Sequence, residues 1–184
     1  MTADKPRAIP RRHLIRALLG RDIPGDPTPA PEPQRTVPAA PAADPHAAGN
    51  AAYAAGDYAE ATAAYRASVR GDLSNPMVRA RLGYALYATR QLIQAKVEFE
   101  HVLHLTNGGD AFARLCLGLT LAALGKADKA AANLEAFDAP QAEELTALSR
   151  RIAAKLRDIG NGDPAPLLLT LERSARAMGF MPEA

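Results

Sequence analysis

Between residues 140 and 159 apolar side chains stand at Leu145, Leu148, Ile152, Leu156 and Ile159, three or four positions apart with polar residues between them. That spacing gathers them on one side of an α-helix. Glu143 and Glu144 near the start and Lys155 and Arg157 near the end suit the helix dipole, so a solvated capping helix is predicted within 139–159. The breaker Gly160-Asn161-Gly162-Asp163-Pro164 follows. A second stripe, Leu167, Leu168, Leu171, Ala175 and Met178, then predicts a last helix over 166–178 within the segment 160–184. Nothing in the stripe itself decides whether that helix packs on the cap or folds back into a groove elsewhere.

Upstream of residue 139 the pattern repeats. A small residue at Gly49, Gly83 and Gly118 is followed twelve positions later by Ala61, Ala95 and Ala130, and four further on by Tyr65, Phe99 and Leu134. The copies lie 34 and 35 residues apart. Three copies in register point to a stacked repeat architecture. The small residues let two helices approach closely, and the bulky ones are expected to fill the seam towards the next unit. Gly56 and Gly125 fit the turn between helices, where φ > 0 ends a helix at low cost. Arg90 takes that place in the second copy.

These residues resemble the tetratricopeptide repeat family, over about residues 42–138. The resemblance implies an all-α fold: an α-solenoid of three helix-turn-helix units, at about 42–75, 76–110 and 111–138, followed by the capping helix or helices. It also implies that the first helix of each unit lines a concave groove for a partner's peptide or helix. Carried across by position, the groove side chains would be His46, Asn50 and Tyr53; then Met77, Arg81, Tyr84 and Tyr87; then Phe112, Leu115, Leu119 and Ala123. Tyr53, Tyr84, Tyr87 and Phe112 would serve as anchors, with Asn50 and Arg81 fixing backbone or carboxylate groups of the ligand. The bland alternative is that Leu115, Leu119 and some of the tyrosines simply pack between helices. One subclass of the family clamps C-terminal carboxylates with lysine, asparagine and arginine. Asn50 matches that clamp, but His46, Arg81, Phe112 and Cys116 depart from it, so carboxylate-clamp binding is not expected.

Composition sharpens the picture at two points. Forty-one of the 184 residues are alanine, nine are aromatic and none is tryptophan. Close-packed helices suit such a chain better than a β-sandwich, which would draw on β-branched and aromatic side chains. The net charge of +2 is unevenly spread: residues 1–21 carry six basic side chains against Asp4 alone. Residues 24–45 follow with eight prolines and are read as an extended, disordered tether, so folded structure is expected to begin near His46.

Within the basic arm, Leu14, Ile15, Leu18 and Leu19 share one side of a short helix, with Arg11, Arg12 and Arg16 beside them. This reads as a docking helix on a tether, with a membrane-surface anchor or a part of the molecule's own fold as the alternatives. The run Arg11-Arg12-His13-Leu14-Ile15-Arg16 looks like a twin-arginine export motif, but only Ala17-Leu18-Leu19 follows before Gly20-Arg21-Asp22. The expected location is therefore cytoplasmic, with an exported or membrane-associated protein as the alternative. No apolar run approaches the roughly 20 residues that span a bilayer.

Catalytic chemistry finds little footing. The Gly-Lys at Gly125-Lys126 lacks the first glycine of a phosphate loop and the following Ser or Thr. His101 and His104 share a helical face without a third ligand, and the lone Cys116 falls on an apolar helix. The expectation is a non-enzymatic adaptor or assembly factor without metal or cofactor. Its partner would be a protein peptide or helix, and near-balanced charge argues against nucleic acid. The alternatives are a self-assembling scaffold, and an accessory factor for an exported or membrane-associated complex that uses the basic arm.

Overall fold

Local capping signals place the starts of three helices. The computed structural model describes residues 44, 46–72, 74–160 and 162–182, all within one unit, Pro41–Ala184. The basic arm with its docking helix and the tether up to residue 43 lie outside the described residues. Helix α1 is Ala47–Ala54, α2 Tyr58–Gly71, α3 Pro76–Ala88, α4 Leu92–Leu105, α5 Ala111–Ala123 and α6 Ala127–Glu135. A 3-10 turn at Pro140–Ala142 leads into α7, Glu143–Asp158, and α8 is Ala165–Ala177. Asp57, Asn75 and Asp110 cap α2, α3 and α5, accepting from the backbone N–H groups of Glu60, Val78 and Ala113. Pro76 opens α3, where its missing N–H costs nothing. The described residues are helical over 76% of their length, and they contain no strand.

The turns inside the first three helix pairs share one geometry. Gly56, Arg90 and Gly125 have φ of 75°, 61° and 71°, all left-handed. The following N–H groups, of Asp57, Gln91 and Lys126, reach back to the carbonyls of Ala52, Leu86 and Leu121 at 2.8–2.9 Å. This is a Schellman closure, which satisfies carbonyls at the helix end. Arg90 adopts it despite its Cβ, so the departure from glycine leaves the turn unchanged and puts a side chain into a conformation that L-residues adopt at a cost.

Consecutive helices pack on each other throughout. A Cβ on Gly49 would lie 2.6 Å from the Tyr65 ring, one on Gly83 2.7 Å from Phe99, and one on Gly118 2.5 Å from Leu134. Tyr65, Phe99 and Leu134 therefore press into the first helix of their own pair, which corrects the expectation that they face the next unit. All three are fully buried, as are Ala61, Ala95 and Ala130.

The helix expected at 139–159 is the 3-10 turn plus α7. It lies on α6, burying Leu145, Ile152, Ala153 and Leu156. The Ser149 hydroxyl donates to the Leu134 carbonyl at 2.8 Å, and Thr146 Oγ1 accepts from Ala139 N–H at 3.1 Å. The last helix, expected at 166–178, touches both α7 and α5. It thus takes up both of the placements its stripe left open.

Candidate functional site

The first helices of the pairs bring the aromatic residues together. Tyr53 of α1 contacts Tyr58, Tyr65 and Tyr84 edge-on, with ring centroids 5.7, 6.2 and 5.8 Å apart. Tyr84 continues the cluster to Tyr58, Tyr87 and Phe112 at 5.3–6.4 Å. All five tyrosines of the chain thus join one cluster, in edge-to-face or tilted contacts. Tyr58 and Tyr65 were not among the expected groove residues. Both lie on a second helix, and the signal that could have found them is the short turn at Gly56, which returns Tyr58 towards α1.

The expected groove residues fall into two sets. Tyr84, Tyr87, Leu115 and Leu119 are buried, at 6% exposure or less. Tyr84 and Tyr87 are therefore not open anchors, which corrects that expectation, and Leu115 and Leu119 lie within the core. Tyr53, Arg81 and Phe112 are half-buried and Met77 is 53% exposed. These four border a cavity of about 480 Å³, which Asp110 and residues 179–182 close on the other sides.

Polar groups follow the same division. Asn50 accepts from both Tyr65 Oη, at 2.8 Å, and Arg81 Nη1, while its own amide donates to Asp44 at 3.1 Å. The side chain expected to hold ligand backbone is thus engaged within the fold. Arg81 stands with its Cζ 5.9 Å from the Tyr53 ring centroid and keeps further donors for a ligand. His46 sits at the start of α1 with its Nδ1 buried and unpartnered among the described residues. It does not line the cavity.

Over Tyr84 and Tyr87 lies a seam contributed by α8. Tyr87 donates its hydroxyl proton to Glu172, Arg176 pairs with Glu172 at 3.3 Å, and Arg176 and Tyr84 border the same cleft. Burial pushes the Tyr84 hydroxyl up to about 12. The Tyr87 hydroxyl is pushed up too, by burial and then by the Glu172 carboxylate, and that of Tyr53 mainly by burial. Neutral hydroxyls able to donate are what this face offers at physiological pH.

The remaining chemical candidates are placed elsewhere. Cys116 is fully buried in α5, where desolvation raises its thiol pKa far above the ordinary value and keeps it unreactive. His101 lies 3.4 Å from Arg79, which is paired with Glu98 at 2.7 Å. Among the described residues no three metal-binding side chains gather, and no helix is long and apolar enough to cross a membrane. No protein-family model matches the chain, and no curated protein is significantly similar to it.

Proposed function

We propose that the chain is a tetratricopeptide-type α-solenoid acting as a non-catalytic adaptor or assembly factor in the cytoplasm, and that it holds a partner protein's peptide or helix on the face carried by α1, α3 and α5. The observation that supports this reading is the open cavity beside residues 179–182, which follow α8. It is apolar at Tyr53, Met77 and Phe112 and holds one guanidinium, Arg81, with donors to spare. Sites for peptide anchors have this character: concave, mostly apolar, with few polar groups that set orientation.

Met77→Glu puts a charge where an apolar anchor would sit, and at 53% exposure it leaves the core intact. Affinity capture with the intact chain and with this variant is the test. Partners using the face should drop by about tenfold or more; recovery of the same partners in the same amounts would sink the reading. The rival self-assembling scaffold predicts concentration-dependent sedimentation of the intact chain, and a monomer at all concentrations would remove it.

A further inference from the structure

The C-terminal helix covers the part of the face that holds Tyr84 and Tyr87, and how it does so says what else fits there. Within the helix its buried contact is small, while just beyond it Met181 is buried and the Phe180 ring meets Phe137 edge-on at 5.4 Å. Only Leu168, Leu171 and Ala175 of α8 are buried, while Leu169 and Met178 stay 53% and 43% exposed. Clefts of about 430 and 450 Å³ flank the Tyr87–Glu172 contact, and Arg90 borders both. Arg176 completes the seam with its Nε buried and unpartnered among the described residues, a group that costs free energy where it sits. At the N-terminus of α8 the Asp163 carboxylate accepts from the Ala165 N–H at 2.9 Å, and the N-cap residue, Pro164, supplies no side-chain acceptor of its own. The connection to α7 passes through Gly160, at φ 57°, and Gly162.

We propose that α8 is a built-in, displaceable occupant of the partner face, and that the external ligand of this seat is an amphipathic helix repeating its chemistry. That helix presents leucines three apart, an acidic residue directly after the second, and a small residue three beyond the acid, as Leu168, Leu171, Glu172 and Ala175 do. The acid is required because the seat offers it the Tyr87 hydroxyl with the Arg90 cation alongside. A base four positions after the acid pairs with it, as Arg176 does with Glu172. The inference rests on the binding-module reading and deepens it: the partner gains the seat by competing with a tethered copy of its own pattern, so wild-type affinity is reduced by the fraction of time α8 is seated.

The probe is a synthetic peptide of residues 163–182, added to the intact chain and to the full-length Leu168→Ser plus Leu171→Ser variant. The variant should bind the peptide at least about tenfold more tightly than the wild type, because its own α8 no longer competes. Glu172→Gln in the peptide should weaken that binding by about five- to tenfold. Equal binding to wild type and variant would overturn the proposal. Hydrogen exchange on the unmodified chain gives a second reading independent of the variant's folding. The amides of α8 should exchange well before those of α3 and α5, and protection equal to theirs would also overturn it. A wild-type chain that dimerises with rising concentration, through a contact that Leu171→Ser abolishes, would assign the seat to a second copy instead. Loss of partner capture in Met77→Glu alongside a permanently seated α8 would leave the binding-module reading standing and remove only this inference.

Discussion

Helices α7 and α8 both follow the three helix pairs, and both lay an amphipathic stripe on what precedes them, yet they are held by different means. In α7 six side chains are buried, Leu145, Thr146, Ser149, Ile152, Ala153 and Leu156, and two of them are hydroxyls tied to backbone groups between Leu134 and Ala139. In α8 three are buried, and the polar ties join side chain to side chain, Tyr87 to Glu172 to Arg176. Releasing α7 would break two hydrogen bonds to the backbone and expose the apolar surface of six buried positions. Releasing α8 frees long side chains that water can solvate. A helix seated on the frame in the first way belongs to it permanently; one seated in the second way can give its place to a competitor.

Truncating one fully buried leucine in each helix puts the largest strain on this contrast. Leu156→Ala should lower global stability by about 2–5 kcal/mol, the range for a large-to-small change in a packed core. Leu171→Ala removes a leucine of equal burial. If α8 detaches as a unit, however, the loss should stop at its docking energy, below about 2 kcal/mol, and the denaturant m-value should fall. Urea unfolding of both variants checks this. Equal losses with an unchanged m-value would make α8 as much a part of the cooperative core as α7.

Alkaline pH separates the helices without mutation. The Tyr84 hydroxyl is raised from 10.0 to about 12 by burial, and Tyr87, which faces the Glu172 carboxylate, is raised as well. A folded-state pKa above the unfolded value means that the seat is fully stable below pH 10. That contribution is then lost as the pH climbs from about 10 through the folded-state value. No tyrosine lies on α6 or α7. Because burial raises the hydroxyls of Tyr53 in α1 and Tyr65 in α2 as well, tyrosinate absorbance and far-UV dichroism, followed together, should show α1–α3 and α8 loosening while α6 and α7 keep their helicity. Loss of all helicity in a single step with the tyrosine titration would erase the distinction.

How much of this could be read from the chain depends on how local each constraint is. The register of Gly49, Gly83 and Gly118 with Tyr65, Phe99 and Leu134 is visible because one close approach is repeated within a few turns of chain. Even Arg90, which breaks the glycine pattern, sits in a turn whose hydrogen bonds match those at Gly56 and Gly125. The direction of those bulky side chains was less legible, since a residue opposite a glycine and one facing the next unit share the same spacing. The seat of α8 was not legible at all. Its stripe identifies an amphipathic helix, but the partner of Glu172 stands 85 residues upstream, and nothing near Glu172 points to it. For the same reason Tyr84 and Tyr87 look like open anchors in the sequence and are covered in the fold.

The smallest expected effects test whether the two kinds of polar tie really differ. Ser149→Ala leaves the Leu134 carbonyl buried without its donor, and should cost about 1–3 kcal/mol of global stability. Tyr87→Phe removes a hydroxyl whose acceptor, Glu172, keeps its ion pair with Arg176 and is still 17% exposed. Water can then replace the lost donor, so the global loss should be about 0.5–1.5 kcal/mol or less. The change should show instead as faster hydrogen exchange confined to α8. Measured side by side, a Tyr87→Phe variant that loses more stability than Ser149→Ala, and loses protection in α3 and α5 as well, would mean that the tyrosine–glutamate tie holds the frame together. The seat would then be closed to any competing helix.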